Sequence, residues 1–402
     1  MEPQFRQTTI DPSGRFLHAE NDRLRVKGPA TRVMLAGGVS AWSVTRHEVV
    51  RRLCEDPRVS RDPVRHWPAY AGLPHDWPLR PFISTVNAFT AFGGDHQRLR
   101  TMMSCAFTPR RVESIRGRVH AVVERIVRDI GRARPGEVLD LRRAFTDVVP
   151  AEALCDLVGI PDSFRARAVH SIQAINRPCG DDRDFMDLTS CLGALVATKY
   201  MVKGDDLTSD LINARYGDDR LTEHEVNAAL ILMIGAGSGT TANLLSKAVT
   251  MLLTHPDQLK LVKAGDATWA DVIEETLRAE GPVQHMPLRY AAEDIDLGFD
   301  TVIKAGEPIL LSFGAAGRDP VAHGRDANEF DVTRADKNHL AFGHGVHHCI
   351  GAPLARMEAS IALPALFAHF PDLELAVPAA ELQPLPTFIY NGYVELPVRP
   401  RK

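Results

Sequence analysis

One stretch in the last quarter of the chain, residues 342–356, constrains the fold more than any other. It reads Phe-Gly-His-Gly-Val-His-His-Cys-Ile-Gly-Ala-Pro-Leu-Ala-Arg, so that three glycines surround a single cysteine. One phenylalanine, three glycines and one cysteine at these spacings arise by chance at roughly one position in several million. Gly343 and Gly345 permit backbone conformations that side chains forbid, which predicts a tight loop. That loop presents the thiol of Cys349.

The residues after the cysteine predict the start of a helix. Pro353 suits a first helical turn, where a missing N–H costs nothing. Gly351 allows a bulky flat partner to approach the main chain. The free N–H groups and the positive dipole end of the helix then point towards the sulfur. Both favour the thiolate of Cys349, which is the form that binds metal.

The loop resembles the haem-ligand loop of the cytochrome P450 family, Phe-Gly-x-Gly-x-His-x-Cys-x-Gly, with every fixed position filled. The resemblance implies that Cys349 is the axial thiolate of haem b, iron protoporphyrin IX, where it favours O–O cleavage. It also implies that His347 contacts a haem propionate and that Phe342 shields the sulfur. Gly343 and Gly351 belong to the same cofactor-binding loop.

Two other interpretations of this cysteine remain open at the level of sequence. A buried structural cysteine is the usual role of a lone Cys, although it would not require three glycines. A zinc site could use Cys349 together with His344, His347 and His348. Zinc ligands usually come as two pairs, however, and no second Cys/His pair is evident.

Composition describes an ordinary globular protein. The chain has 402 residues, 45% hydrophobic and 24% charged, with a formal net charge of −4. We expect one domain over residues 1–402, because no linker or repeat divides it, and the charge argues against nucleic acid as a partner. Six scattered cysteines predict free thiols. The polar start and the lack of 18 successive apolar residues predict a cytoplasmic protein without a membrane anchor.

The periodicity and the resemblance together predict a mainly α fold with a small β-region. Residues 32–35 read as a strand, and residues 44–54 as a helix. A long irregular loop, about 60–92, follows. Within residues 162–201 we expect two helices, one on each side of a break at 178–180. The resemblance implies the cytochrome P450 fold, with haem buried between a long central helix, residues 223–255, and the cysteine loop.

Cationic residues spread over the chain match the family's haem-propionate positions. His96 and Arg100 are four residues apart and share a helical face, which by itself is most often a solvated face. The resemblance gives the pair a role, because haem carries two propionates that need cationic or hydrogen-bonding partners. Arg289 matches a further propionate-binding arginine.

The central helix contains three glycines, in Gly-Ala-Gly-Ser-Gly-Thr-Thr at residues 235–241. Each glycine costs a helix interior about 1 kcal/mol relative to alanine, so we expect a ligand to approach the backbone closely, with a local opening of the helix. The stretch resembles the family's oxygen-activation motif. Ala236 belongs to it, and Thr240 falls at the threonine that hydrogen-bonds oxygen and guides protons.

The motif departs from the family at one position. Gly239 occupies the place of an acid, and a carboxylate there helps to relay protons. Its absence suggests the hypothesis that a substrate radical couples, forming a C–C or C–N bond, instead of receiving oxygen. Cyclic dipeptides are one candidate substrate class for such coupling.

A second family motif, Glu-x-x-Arg, lies at residues 275–278. Glu275 and Arg278 are three residues apart on one helical face, and an exposed pair of this kind contributes little to stability. The resemblance implies instead a buried structural ion pair behind the ligand loop. Arg334 is the expected third member.

Residues of the substrate pocket are predicted by analogy with the family. They come from the 60–92 loop, the central helix, the segment before Arg289 and a C-terminal hairpin. The candidates are Phe82, Val86, Phe89, Gly235, Gln284, His285, Phe388 and Ile389.

The resemblance implies a haem-thiolate monooxygenase or oxidase that acts on a small or medium apolar secondary metabolite. Electrons should come from a ferredoxin and its reductase, because no Gly-x-Gly-x-x-Gly fingerprint appears. The alternative is a non-catalytic relative that binds haem and recruits a partner protein.

Overall fold

Helices hold most of the described chain. The computed structural model describes residues 8–176 and 182–401. Its α-helices are α1 (Leu17–Arg25), α2 (His47–Glu55), α3 (Pro63–His66), α4 (Arg80–Ile83), α5 (Gly93–Ala106), α6 (Pro109–Ser114), α7 (Arg116–Ile130), α8 (Val148–Val158), α9 (Asp162–Ile175), α10 (Asp182–Met201), α11 (Leu207–Asn213), α12 (Glu223–Thr254), α13 (Pro256–Ala264), α14 (Trp269–Ala279), α15 (Phe313–Gly317), α16 (Pro320–His323) and α17 (Ala352–His369). Short 3-10 segments include Gly345–His347 in the cysteine loop.

The strands form small sheets at the edge of this helical body. They are β1 (Thr8–Thr9), β2 (Thr31–Leu35), β3 (Val39–Val44), β4 (Val59–Ser60), β5 (Leu139–Asp140), β6 (His285–Ala291), β7 (Ile295–Asp296), β8 (Val302–Ile303), β9 (Pro308–Ser312), β10 (Glu374–Leu375) and β11 (Pro397–Arg399). The largest sheet has the order β1-β2-β3-β9-β6-β4. The prediction of a mainly helical fold with a small β-region is confirmed.

The central helix α12 is the longest described element, and it ends one residue before the predicted end. It begins with a capping box, in which Thr222 and Glu225 satisfy each other's backbone N–H groups. The helix packs against α8, α10, α14 and α17. Because neighbours surround it, its apolar side chains are buried on several sides. The predicted opening of the helix is wrong, since α12 is one continuous α-helix.

The length and composition of α12 would also suit a membrane span. It is the one described helix that passes this test, with a mean hydropathy of 1.5 in its most apolar window. However, 56% of that window is buried inside the protein. A core helix of a folded protein passes the same test, so α12 is explained by its packing.

An irregularity in β6 positions two side chains of the site. The pairing of β6 with β9 shifts register between Met286 and Arg289. In a regular strand, residues three apart point to opposite faces. A bulge changes that relation, and both Met286 and Arg289 line the same cavity. The sheet therefore presents an apolar and a cationic group to one space.

Two sequence predictions of local structure need correction. The segment from residue 44 is not helical from its start, because Val44 ends strand β3 and the helix begins at His47. Strand β3 is held by pairing with β2 and with the distant β9, which local periodicity does not reveal. The loop 60–92 contains the short helices α3 and α4. The predicted break at residues 178–180 lies outside the described residues.

Candidate active site

The cysteine loop has the backbone that its glycines predict. Gly343 and Gly345 have φ angles of 69° and 66°, in the left-handed region that favours glycine. The N–H of Cys349 donates to the carbonyl of Phe342 at 2.8 Å, which closes the loop. Gly351 then caps the N-terminus of α17. The loop therefore holds Cys349 three residues before the first residue of a helix.

The neighbouring helix α2 makes the second glycine necessary. A Cβ atom on Gly345 would lie 2.5 Å from the carbonyl oxygen of Cys54. No side chain fits at that distance, so the loop packs directly on the end of α2. His344 and Glu55 form a 2.8 Å contact that adds to this packing. The position of Cys349 is thus fixed from outside the loop as well.

The thiol of Cys349 lines a cavity. Burial raises the pKa of this thiol above its ordinary value, while the N–H groups of Gly351 and Ala352 and the cation of Arg100 act in the opposite direction. The predicted influence of the helix N-terminus is therefore present, but burial outweighs it. A metal cation bound to the sulfur would supply the missing stabilisation of the thiolate.

The cavity lies between α12, the cysteine loop, β6 and the loop before α5. It encloses about 1350 Å³ of empty space, its mouth included. Its apolar lining consists of Ala88, Phe89, Met103, Phe107, Leu154, Leu232, Met233, Ala236, Leu244, Leu277, Pro282, Val283, Met286, Phe313, Ala341, Phe342, Ile350, Leu354 and Ala355.

One face of α12 contributes polar residues to the lining of the cavity. Thr240 and Thr241 line it together with Ala236 and Gly237. The hydroxyl of Thr240 donates to the carbonyl of Ala236 at 2.7 Å. The two acceptor lone pairs of this oxygen remain, and a hydroxyl can rotate to suit a new partner.

The three glycines of α12 have different explanations, and close approach of a ligand is not the general one. A Cβ on Gly239 would lie 2.6 Å from Oδ1 of Asn176, the residue at the end of α9. A Cβ on Gly237 would contact the side chain of Leu154 at 3.4 Å, and Gly235 faces open space. Gly239 does not line the cavity. The missing acid is therefore linked to helix packing against α9.

A cationic wall closes one end of the cavity. We use this name for Arg61, Arg100, Arg289 and His347, which line the cavity, together with His96, which lies against His347. The rings of His96 and His347 have centroids 4.1 Å apart, and a guanidinium N–H of Arg100 donates to the carbonyl of His348 at 2.5 Å. Burial, followed by the nearby arginines, lowers the pKa of His96 to about 4. None of the described residues that line the cavity is Asp or Glu.

Several donors in the cationic wall have no acceptor. Nε of Arg61, Nε of Arg289 and Nε2 of His96 are buried without a hydrogen-bond partner. Buried polar atoms are normally satisfied, and leaving them unpaired costs free energy. These donors would therefore suit an anion with several oxygen atoms.

The predicted ion pair is buried behind the cysteine loop. Glu275 and Arg278 have fully buried side chains and make bonds of 2.7 and 2.8 Å. Arg334 approaches Glu275 at 3.4 Å, as the third member. Arg278 also donates to the carbonyl oxygens of Gly317, Ala327 and Glu329. The network joins α14 to the segments that precede the cysteine loop.

Most of the predicted substrate residues lie away from the cavity. Phe89 lines it, whereas seven do not: Phe82, Val86, Gly235, Gln284, His285, Phe388 and Ile389. Val86 is 80% exposed at the surface. His285 is fully buried, and its ring lies 5.6 Å from that of Phe388, so these two residues pack against each other.

Sequence reasoning missed several lining residues. Met286 and Val283 lie beside the two predicted polar residues, and both line the cavity. Met233 and Leu244 could have been found, since they lie seven before and four after Thr240 on the same helical face. Arg61 had no local signal, because an isolated arginine in an irregular loop resembles any surface residue.

The zinc interpretation gains no support. In residues 8–176 and 182–401, no group of three or more His, Cys, Asp or Glu side chains is arranged to hold a metal ion. His344 instead pairs with Glu55, and His347 faces His96.

Comparison of sequences gives consistent relatives. Residues 269–381 match the profile of the family described as Cytochrome P450. The 2-hydroxy-5-methyl-1-naphthoate 7-hydroxylase of Streptomyces carzinostaticus is 40% identical over 395 residues, covering 97% of this chain and 96% of that protein. The 6-deoxyerythronolide B hydroxylase of Saccharopolyspora erythraea is 33% identical, covering 94% of each.

Comparison of structures agrees. CYP154A1 from Streptomyces coelicolor A3(2) has a TM-score of 0.88 at 44% identity, covering 98% of this chain and 99% of that one. Testosterone-bound CYP154C4 from Streptomyces sp. ATCC 11861 has a TM-score of 0.91 at 39% identity, covering 98% of each. The fold and the relatives define the class, a haem-dependent oxidoreductase of the monooxygenase type. Within that class, the chain belongs to the cytochrome P450 family.

The described residues fit the haem cofactor of this family. The cavity carries one cysteine thiol, apolar walls for a flat ring and a cationic wall without carboxylates. The two propionates of haem would provide acceptors for the unpaired donors of Arg289, His96 and Arg61. The donor set therefore suits iron protoporphyrin IX better than a hydrated metal ion.

Proposed function

We propose that this protein uses a haem with Cys349 as axial ligand to hydroxylate a small or medium apolar secondary metabolite. The proposal depends on one observation above all. A single cysteine, held three residues before α17 by glycines with positive φ, lines a large apolar cavity that has a cationic wall and no acid among its described lining residues. Bound haem with a thiolate ligand supplies the activation of O₂.

The chain's own residues would bind and orient that group. Cys349 would ligate the iron, and the ring of Phe342 lines the cavity beside the sulfur, where it would limit access of water. Arg289, Arg100 and His347 line the other wall and would hold the propionates. His96 lies behind His347 and would act as a neutral donor, because its pKa is about 4.

Thr240 is the proposed proton-handling residue. Its hydroxyl reaches the cavity from α12 and is already bonded to the helix through Ala236. Its free acceptor sites can hold a water or a substrate proton at Oγ1. Thr241 lines the cavity next to it. A polar spot inside an otherwise apolar wall would guide protons while keeping bulk water out.

The apolar lining supports an apolar substrate. The side chains that surround Thr240 are Met233, Leu232 and Leu244 on α12, with Val283 and Met286 opposite. The names of relatives point to a naphthoate and to 6-deoxyerythronolide B, and CYP154C4 binds testosterone. Polycyclic or macrocyclic metabolites, including aromatic acids, therefore belong in the first screening panel.

We propose a ferredoxin and its reductase as the electron donors, because the sequence has no dinucleotide fingerprint. A cytoplasmic location is supported by free thiols at the five described cysteines. The 97% of this chain that aligns with one relative supports a single cytochrome P450 domain over residues 1–402.

A reconstituted assay tests the function through Thr240. With surrogate ferredoxin and reductase, we expect substrate-dependent NADH consumption coupled to hydroxylated product. Thr240→Val removes the hydroxyl and should lower the product formed per NADH by at least roughly tenfold. Thr254→Val is a matched control, since Thr254 makes the same bond to the residue four before it, at the far end of α12.

A haem-containing wild-type protein that consumes no NADH with any member of the panel would instead support the non-catalytic, partner-recruiting function. Equal effects of Thr240→Val and Thr254→Val would remove Thr240 from the proposed mechanism.

Oxidative coupling is a second candidate, favoured by Gly239. Without an acid at this position, proton delivery depends on Thr240, on water or on the substrate, which leaves more time for a substrate radical to form a C–C or C–N bond. Cyclic dipeptides with aromatic side chains are the test substrates. The named relatives are hydroxylases, so hydroxylation remains the first proposal.

Restoring the acid needs a second change. Gly239→Glu alone should destabilise the protein by about 1–3 kcal/mol, because its Cβ would meet Oδ1 of Asn176 at 2.6 Å. Asn176→Ala should relieve that overlap, so the double variant should unfold at a higher temperature than Gly239→Glu. Thermal unfolding of the wild type, the two single variants and the double variant measures how far Asn176→Ala offsets the loss of stability in Gly239→Glu.

The double variant also tests the chemistry. Under the coupling hypothesis, Glu at 239 shifts the products towards hydroxylation. An unchanged monohydroxylated product in all four proteins counts against coupling. Additive changes in unfolding temperature would contradict the packing explanation for Gly239.

A further inference from the structure

We infer that Arg61 is a carboxylate-binding residue of this cavity, which would hold either a propionate of the cofactor or an acid group of the substrate. The inference deepens the proposed function and rests on it. It is carried by the position of Arg61, by its unsatisfied donor and by the balance of charges around it.

The position of Arg61 is unusual for an arginine. It directly follows strand β4, which pairs with β6, and its side chain lines the cavity. Arg61 is only 3% exposed. Arginine is almost never so buried unless it is paired. Asp62, the next residue, pairs with Arg65 instead, and the hydrogen bond of Arg61 among the described residues goes to a carbonyl oxygen and not to a carboxylate.

The contacts of Arg61 leave some of its N–H donors without an acceptor. Nη2 of Arg61 donates to the carbonyl oxygen of Pro287, with a long nitrogen–oxygen distance of 3.3 Å. The guanidinium carbon lies 3.4 Å from the centre of the Phe89 ring, a stacking contact that orients the group without using its N–H donors. Nε is buried and has no partner. A planar guanidinium with unused donors is suited to bind a carboxylate by two bonds.

The surroundings make an anion necessary. Arg61 lies close enough to Arg289 that the two cations repel, and burial followed by this repulsion lowers the pKa of Arg61 well below its ordinary value. Arg61, Arg100 and Arg289 all line the cavity, and none of the lining residues within 8–176 and 182–401 is Asp or Glu. Two propionates balance two of these three cations. The third must share a propionate or pair with a carboxylate that the substrate brings.

Two substitutions separate charge from packing. Arg61→Met keeps much of the side-chain length and loses the charge, whereas Arg61→Lys keeps a charge and loses the fork. Arg58→Met is the matched control, because Arg58 lies on the same segment, is 40% exposed and pairs with Asp56. All three are purified as holoproteins, and their unfolding temperatures are measured.

The first readout is haem release to excess apomyoglobin. If Arg61 holds a propionate, Arg61→Met should release haem roughly ten- to a hundredfold faster than wild type, with Arg61→Lys between them. The second readout is spectral binding of 1-naphthoate and of 1-naphthamide. If Arg61 holds a substrate acid, wild type should prefer the acid by roughly tenfold or more, and Arg61→Met should lose that preference.

The inference is overturned if neither readout separates Arg61→Met from Arg58→Met. Equal losses in Arg61→Lys and Arg61→Met would still support the inference, because both variants lack the fork that makes two bonds to a carboxylate. Failure of the proposed function appears elsewhere, in the absence of thiolate-ligated haem from the wild-type protein. The two failures are therefore distinguishable.

Discussion

Cys349→Ser is expected to abolish the red-shifted absorption of the reduced carbon-monoxide adduct and to stop monooxygenase turnover. The adduct of the wild-type protein should show this absorption, because thiolate ligation donates electron density to the iron. Serine fills nearly the same volume but does not supply a thiolate. Loss of an outer-sphere partner already costs roughly 10–100-fold in activity, so loss of the ligand itself should cost more.

The structure provides a sharp control for this result. Cys105 on α5 is an exposed free cysteine, and it does not line the cavity. Cys105→Ser should therefore leave spectrum and turnover unchanged. If Cys349→Ser kept the red-shifted band, or if purified wild type were colourless, a different residue or a different cofactor would be indicated and the proposed function would fail.

Glu275→Ala is expected to cost about 3–5 kcal/mol in the free energy of unfolding, because it strands a buried cation. Glu275 and Arg278 both have completely buried side chains. Glu275 also accepts from the N–H of Asp331 at 2.9 Å and from Arg334 at 3.4 Å. Without this carboxylate, four N–H groups lose their acceptor, two on Arg278 and one each on Asp331 and Arg334. Since the segment after Arg334 leads into the cysteine loop, haem retention should fall as well.

The matched control is an exposed pair with the same spacing. Glu48 and Arg51 on α2 are also three residues apart, at 2.9 Å, with side chains 71% and 38% exposed. Glu48→Ala should change the free energy of unfolding by less than about 1 kcal/mol. Denaturant unfolding of the holoproteins and their haem content provide both readouts. Equal losses for the two variants would show that burial of the Glu275 pair carries no special stability.

A double substitution distinguishes the ion pair from the rest of the network. Glu275→Leu with Arg278→Met removes both charges, which in a simple buried pair can be nearly neutral. Here Arg278 also donates hydrogen bonds to the carbonyl oxygens of Gly317, Ala327 and Glu329. The double variant should therefore remain destabilised. Full recovery of stability would contradict a role for these carbonyl bonds.

Several parts of the site could be predicted from local sequence. The positive φ angles of Gly343 and Gly345 follow from the conformational freedom of glycine. The predicted end of α12 lies within one residue of the observed end, because the apolar run and the caps of this helix are local signals. The pair of Glu275 and Arg278 needs only helical spacing. In each case the determining interactions lie within a few residues of one another.

The substrate pocket could not be predicted in the same way. Phe82, Val86 and Phe388 are apolar and lie in plausible segments, yet only the packing of the loop decides which side chains face inwards. Met286 lines the cavity whereas Gln284 does not, and a bulge in the pairing of β6 with β9 follows directly after Met286. The register of that bulge depends on β9, more than 15 residues away in sequence, so no local pattern encodes it.

The sequence by itself determined the cysteine loop, the central helix and the membership of a haem-thiolate family, because short spacings of glycine, cysteine and apolar residues carry that information. Only the tertiary structure decided that Asn176 fills the space beside Gly239 and that Arg61 enters the cavity as a third arginine. The physical reason is that burial and charge balance depend on neighbours brought together from distant parts of the chain, and one residue type can be a surface group or a site residue according to those neighbours.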